Sequence, residues 1–120
     1  MTADDYLMRG LDRWHANGDL DGAAADFSQA VTLNPGFAVA FNQRGKVRRL
    51  QGALQDALTD FNRAIALDRA YANAYYNRGI LYLDMNDFPA AIRDWETCLA
   101  LGEDFRAVRQ YIQWAQDQTR

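Results

Sequence analysis

His15 and Cys98 are the one histidine and the one cysteine of this 120-residue chain, so any proton shuttle, thiol nucleophile or soft metal ligand must start from them. A metal site needs several such ligands at short spacing, and a thiol nucleophile needs a base within hydrogen-bond reach; neither residue has such a neighbour in sequence. Cys98 cannot close an internal disulfide, and it reads as a small buried apolar side chain. His15 reads as a partly exposed surface residue rather than a base. The acid pairs Asp4-Asp5 and Glu103-Asp104 stand where helices are expected to begin, a place that favours them against the helix dipole. Gly18, Asp19 and Asp21 belong to a turn and a cap, and no glycine-rich phosphate loop occurs. The chain is therefore expected to be no enzyme and to carry no cofactor and no metal.

What the chain does have is a period. Sliding the stretch from Asn77 to Leu101 back by 34 residues lays Trp95 on Phe61 and then on Phe27, Ala91 on Ala57 and Ala23, and Leu101 on Leu67 and Leu33. Three copies of one unit account for about residues 4–102, and a period of this size marks a repeat array. A composition of 49% hydrophobic and 24% charged residues is that of an ordinary soluble chain, and the length bounds it to one domain. Two prolines and the lack of any alternating Val/Ile/Thr-rich run imply an all-α fold. The start, Met1 to Asp5, lacks the basic and apolar regions of an export signal, and no apolar run approaches the roughly 18 residues of a membrane span; a cytoplasmic location and no membrane partner are expected. Net charge is −3, with six acids against two arginines in residues 1–34 and a basic excess in residues 35–68. An acidic whole argues against nucleic acid as a partner.

Leu7, Met8, Leu11 and Trp14 recur at three- and four-residue intervals and predict a helix from Asp4 to Asn17. Gly18 can end it in the left-handed conformation, and Asp19 or Asp21 can cap a second helix from Leu20 to Leu33 that buries Ala23, Phe27, Ala30 and Val31. Asn34-Pro35-Gly36 breaks that helix. The second copy runs Phe37 to Gln51, turns at Gly52 and returns as Ala53 to Leu67, with Asp68-Arg69-Ala70 after it. The third runs Tyr71 to Met85, turns at Asn86-Asp87 and returns as Phe88 to Leu101, with Pro89 in the first turn. Gly102-Glu103-Asp104 closes it and caps a seventh helix, about 105–117, whose stripe of Phe105, Val108, Ile112 and Ala115 is expected to cover the open end of the last pair.

The copies resemble the tetratricopeptide repeat, a 34-residue pair of antiparallel helices with aromatic, glycine, aromatic, alanine, aromatic, alanine and proline positions. Copy three gives Tyr75, Gly79, Tyr82, Ala91, Trp95 and Cys98, with Glu103 in the proline slot. Copy two gives Phe41, Gly45, Arg48, Ala57, Phe61 and Ala64, with Arg69 in that slot. Copy one gives Leu7, Leu11, Trp14, Ala23, Phe27, Ala30 and Pro35. Its Gly10 stands one residue early, so either a residue is inserted in the first helix or the glycine role is lost there. Gly45 and Gly79 are expected to let the two helices of a pair approach closely, and Phe27, Phe61 and Trp95 to fill the space between neighbouring units. Arg48 puts a charge where the other copies place Trp14 and Tyr82; its stem is expected to pack while the guanidinium reaches water. The fold implied is a right-handed α-α superhelix of three helix pairs plus a C-terminal capping helix, seven helices in a single domain with repeats about 4–36, 37–70 and 71–104.

In that family the first helices of successive pairs line a concave groove that takes extended peptides or short helices. The resemblance thus implies a non-catalytic adaptor for a protein or peptide partner. By the 34-residue phase its groove positions fall on Met8, Asp12 and His15; on Asn42, Lys46 and Arg49; and on Tyr76, Ile80 and Leu83, flanked by Val39, Gln43, Asn73, Asn77 and Asp84. Each triplet is spaced i, i+4, i+7, which puts it on one helix face. The amides of Asn42, Gln43, Asn73 and Asn77 can satisfy the backbone of an extended peptide. Lys46 and Arg49 can hold a carboxylate, and Tyr76, Ile80 and Leu83 can receive an apolar side chain. Members that bind the acidic tails of heat-shock chaperones use a lysine, asparagine, asparagine, lysine, arginine clamp; those positions here read Met8, Asp12, Gln43, Asn73 and Asn77. With no cation among them, that mode of binding is not expected. The second reading of function is self-association into a homo-oligomer, through the groove or through the first helix, where Leu7, Leu11 and Trp14 have no preceding cap to cover them.

Overall fold

In the computed structural model, which describes residues 1–103 and 107–120, helices form where the three- and four-residue apolar spacing runs and stop where a cap or a left-handed residue interrupts it. They are α1 (Ala3–Asn17), α2 (Leu20–Leu33), α3 (Ala38–Leu50), α4 (Leu54–Leu67), α5 (Ala72–Asp84), α6 (Phe88–Ala100) and α7 (Val108–Gln118), with no strand among the described residues. The bounds of α1 to α6 lie within a residue of those the sequence predicts. For α7 the expected first residue, Phe105, and the expected cap, Asp104, lie outside the described residues. Its N-cap, Ala107, makes no side-chain hydrogen bond. A capping box opens α1: the Asp5 N–H donates to Thr2 Oγ1 at 3.1 Å and the Thr2 N–H to Asp5 Oδ2 at 2.8 Å. The turns inside the three helix pairs place Gly18, Gly52 and Asn86 at φ 63°, 80° and 60°, a left-handed residue at the same phase of each copy, and Gly102 after α6 is a fourth at 85°. Asp19 then caps α2 by accepting from the Gly22 N–H, and Asp87 caps α6 by accepting from the Ala90 N–H.

Two compact units result. The first, Met1–Asp68, holds α1 to α4. Its helices pack in sequence order, α1 on α2, α2 on α3 and α3 on α4, around a cluster of Leu7, Ala23, Phe27, Ala30, Val31, Ala40 and Val47. The second, Arg69–Arg120, holds α5 to α7, with α5 on α6 and α6 on α7 around Ala91, Trp95, Val108 and Ala115. In this unit α7 supplies Val108 and Ala115 to the core, with Tyr111 and Ile112 packed beside them, and so covers the apolar side of the last pair.

Each glycine of the signature makes room for a ring rather than for bare backbone. A Cβ on Gly10 would stand 2.6 Å from Phe27 Cε1, and one on Gly45 2.6 Å from Phe61 Cε1. Trp95 lies over Gly79 in the same way, its Nε1 donating to the Tyr76 carbonyl at 3.3 Å. The large aromatics therefore pack over the glycine inside each pair, because the second helix carries the ring and the first offers the gap, and they also reach the next element as expected: Phe27 clusters with Ala40 and Val47 of α3, and Trp95 lies 5.4 Å from the Tyr111 ring of α7. This also decides the question of Gly10. Its glycine role is kept, and the extra residue of copy one lies between Gly10 and Gly18, which are one residue further apart than Gly45 and Gly52. In α1 it is consequently Tyr6, not Leu7, that matches Phe41 and Tyr75.

Candidate functional site

Five of the chain's thirteen lysine and arginine side chains are fixed on buried aspartates inside the repeats. Asp26, Asp60 and Asp94 directly precede Phe27, Phe61 and Trp95 and are buried with them. A buried carboxylate must be paired, and the partner is the arginine preceding each helix glycine. Arg9 donates through Nε and Nη2 to Asp26 at 3.0 and 2.7 Å, Arg44 to Asp60 at 2.9 and 2.8 Å, and Arg78 to Asp94 at 2.9 and 2.7 Å. These are two-pronged contacts that only a guanidinium can make. Each of these arginines also lies over the ring of Tyr6, Phe41 or Tyr75, at 5.3, 5.6 and 5.5 Å. The bond to Asp94 holds the Arg78 guanidinium above even its ordinary high pKa.

A second arginine joins two of these pairs. Arg13 approaches Asp26 at 3.3 Å, and Arg48 Nη1 donates to Asp60 Oδ2 at 2.9 Å. The expectation that the Arg48 guanidinium simply reaches water is thereby corrected: its charge is fixed on a carboxylate that is only 1% exposed. Copy three needs no such charge, because there Tyr82 stands in that position and lies 5.8 Å from Arg78. The signal for this ladder was in the sequence all along, as an aspartate before every phased aromatic and an arginine before each of Gly10, Gly45 and Gly79.

What remains for recognition in the first unit is concentrated on α3. Lys46 is half-buried, its ammonium 5.2 Å from the centroid of the Trp14 ring, and burial alone pulls its pKa below the ordinary value. Gln43, one turn before it, is partly buried, and its Oε1 is closed to solvent with no hydrogen-bond partner among the described residues. Arg49 is half-buried and Val39 exposed. Asn42, expected to face a ligand, is sealed in the interior at 1% exposure. Of the residues assigned to the groove on α1, Met8, Asp12 and His15 are all exposed, Met8 at 64%. Counted from Gly10, the residues matching Asn42, Lys46 and Arg49 are instead Leu7, Leu11 and Trp14. Leu7 is buried, and Leu11 and Trp14 pack on the core, so the apolar end expected to drive self-association is largely covered.

In the second unit α5 presents Asn73, exposed, and Asn77, buried, with Asn77 Nδ2 donating to Asn73 Oδ1 at 3.3 Å. Tyr76, Ile80 and Leu83 are half-buried against the cluster that α7 helps to build, and Tyr76 stacks on Tyr111 at 6.4 Å. The apolar stripe of α5 thus doubles as a seat for α7, a use its spacing could not distinguish from an open surface. Cys98 is buried, its thiol donating to the Ala72 carbonyl at 3.3 Å, and burial pushes its pKa up to about 11. Among the described residues no group of three His, Cys, Asp or Glu side chains is placed to hold a metal ion, and no helix is long and apolar enough to cross a membrane.

Two family descriptions match the chain: TPR repeat over residues 45–86 and tetratricopeptide repeat over residues 72–105. No curated protein matches it by sequence. Among solved structures it is similar to the first TPR of Spaghetti (RPAP3) bound to the HSP90 peptide SRMEEVD, at 21% identity and a TM-score of 0.92, covering 98% of this chain and 93% of that one. It is similar to MamA at 26% identity and a TM-score of 0.90, covering 98% of this chain and 68% of that one. The TPR2B domain of yeast Sti1, in complex with a pHsp70, gives 17% identity and a TM-score of 0.89, with 97% of each chain covered. These likenesses show the fold, an all-α helical-repeat superhelix.

Proposed function

Since the chain belongs to the tetratricopeptide repeat family, we propose that it is a non-catalytic cytoplasmic adaptor that holds a peptide or protein segment in the concave groove used by that family. The observation that carries this reading is on α3: the ion pairs to Asp26, Asp60 and Asp94 are internal to the repeats, yet Lys46 keeps a half-buried ammonium without a carboxylate partner among the described residues. A charge held partly out of water and left uncompensated is costly for the fold alone and useful for a ligand. In the first unit the proposed contacts are Gln43, Lys46 and Arg49, with Asn42 lying beneath them. In the second unit they are Asn73 and Asn77, together with the edges of Tyr76, Ile80 and Leu83 left open beside α7.

Two of the similar structures hold chaperone peptides, which supports a peptide as the class of partner. The chaperone-tail clamp itself is a different matter. In the register fixed by Gly10 its positions become Leu7, Leu11, Gln43, Asn73 and Asn77, and none is a cation.

The test is a pull-down with the intact chain beside its Lys46→Glu, Arg49→Glu variant, followed by titration of the captured segment as a synthetic peptide. Reversing both charges is expected to weaken binding at least tenfold while the circular dichroism and unfolding midpoint stay those of a folded chain. Equal affinity in the folded variant removes α3 from the site. Light scattering over a concentration series is expected to show a monomer; concentration-dependent growth in mass would point to self-association instead.

A further inference from the structure

We propose that α3 carries a carboxylate-binding subsite, built on Lys46 with Gln43 one turn before it and the Trp14 ring as its wall, and that it takes an Asp or Glu side chain of an extended peptide. The inference rests on the peptide-binding reading above and names the chemistry of the partner.

Lys46 is the only lysine of the chain; every other basic side chain apart from His15 is an arginine. Arg9, Arg44 and Arg78 grip buried aspartates in two-pronged contacts, and Arg13 and Arg48 each add one further ion pair to Asp26 and Asp60. Lys46 has no such aspartate. Its ammonium rests against the Trp14 face, which offsets part of the lost hydration and leaves the positive charge in place. A compact ammonium of that kind suits a single carboxylate approaching from solvent. Its lowered pKa agrees with a site that lacks its anion.

Gln43 supplies the second half. Its Oε1 is closed off without a donor, so the amide forfeits no hydrogen bond when it rotates out to accept one from a peptide N–H. Gln43 and Lys46 are spaced i, i+3 and share one helix face. An acidic residue in an extended peptide brings a backbone N–H and a carboxylate together, which matches an acceptor and an ammonium side by side. Gln43 stands at one of the chaperone-tail clamp positions, but Lys46 does not, and those positions hold no cation, so the charge of this subsite comes from elsewhere on α3.

The experiment is a positional-scanning array of end-blocked dodecapeptides, probed with the intact chain and with Lys46→Met, which keeps the stem over Trp14. The intact chain is expected to retain peptides with Asp or Glu at one fixed position about tenfold or more over Asn or Gln there, the loss of one charge-assisted bond, and Lys46→Met to abolish that preference while staying folded. Peptides retained without an acid preference, or with one that survives Lys46→Met, would overturn the subsite and leave the peptide-binding reading standing. Retention of phosphoserine alone at that position, or of neutral peptides only when their C-terminus is free, would overturn the side-chain carboxylate. No retention of any peptide would overturn both readings. A direct readout comes from reductive ¹³C-methylation, which labels only Lys46 and the N-terminus. The Lys46 signal is expected to titrate at higher pH when the selected acidic peptide is bound, and an unmoved titration with peptide bound counts against the contact.

Discussion

Replacing Asp60 by Asn is expected to destabilise the first unit more than the same change at either phased aspartate. Asp60 is 1% exposed and accepts three hydrogen bonds, from Arg44 Nε and Nη2 and from Arg48 Nη1. Asparagine keeps the volume, removes the charge and turns a donor toward donors. Two guanidiniums, 14% and 26% exposed, are left facing it. Breaking a buried pair from one side costs about 3–5 kcal/mol, because the remaining charge stays buried without compensation. Asp26 is buried equally well, but its arginines are 42% and 38% exposed and regain water when released, so Asp26→Asn is expected to cost only about 1 kcal/mol. Asp94→Asn falls between, since Arg78 is 20% exposed. Urea unfolding followed by circular dichroism measures all three, with m-values compared to check that the unfolded states match. Equal losses at the three sites, or a loss at Asp60 below that at Asp26, would refute the argument that partner burial sets the cost.

Two further predictions concern packing and the thiol. Gly10→Ala is expected to destabilise by about 1–3 kcal/mol, because the new Cβ meets the Phe27 ring; in a helix with open space the same change would stabilise by roughly 0.5–1 kcal/mol, so the sign of the shift in urea midpoint decides whether Gly10 keeps its role. Cys98 is expected to react with an aromatic disulfide reagent at pH 8 at least about tenfold more slowly in the folded chain than in urea, because its raised pKa cuts the thiolate fraction about a hundredfold while the more basic thiolate regains about tenfold in nucleophilicity. Because the folded thiol holds its proton up to about 11 while the unfolded one releases it from about 9, the unfolded chain binds fewer protons in that window, and stability should fall as pH rises through it; a flat profile there in a Cys98 versus Cys98→Ala comparison removes the effect.

The period made most of the fold legible. Trp95, Phe61 and Phe27, with the small residues at Ala91, Ala57 and Ala23, located six helices to within a residue, since turn chemistry at Gly18, Gly52 and Asn86 repeats at the same phase. The ion ladder was equally periodic, yet it went unread because charged residues on amphipathic helices are ordinarily solvated. Only the packing shows that Asp60 is turned inward beside Phe61. Arg48 was misjudged for the same reason. Its stem does pack, and what the sequence could not supply was the carboxylate waiting across the pair.

The candidate site suffered from a single residue. An α-helix advances one turn in 3.6 residues, so an insertion of one rotates everything before it by more than a quarter turn. Counting α1 by the 34-residue phase put Met8, Asp12 and His15 on the groove; counting from the glycine that seats Phe27 puts Leu7, Leu11 and Trp14 there. The corrected register sets Trp14 at the position of Arg49 in the next copy, which is why a ring stands where Lys46 can rest on it. A purely polar stripe at Asp12 and His15 would have given the lysine a counter-ion or a hydrated neighbour. The aromatic instead holds the ammonium in place and leaves its charge for a partner to satisfy.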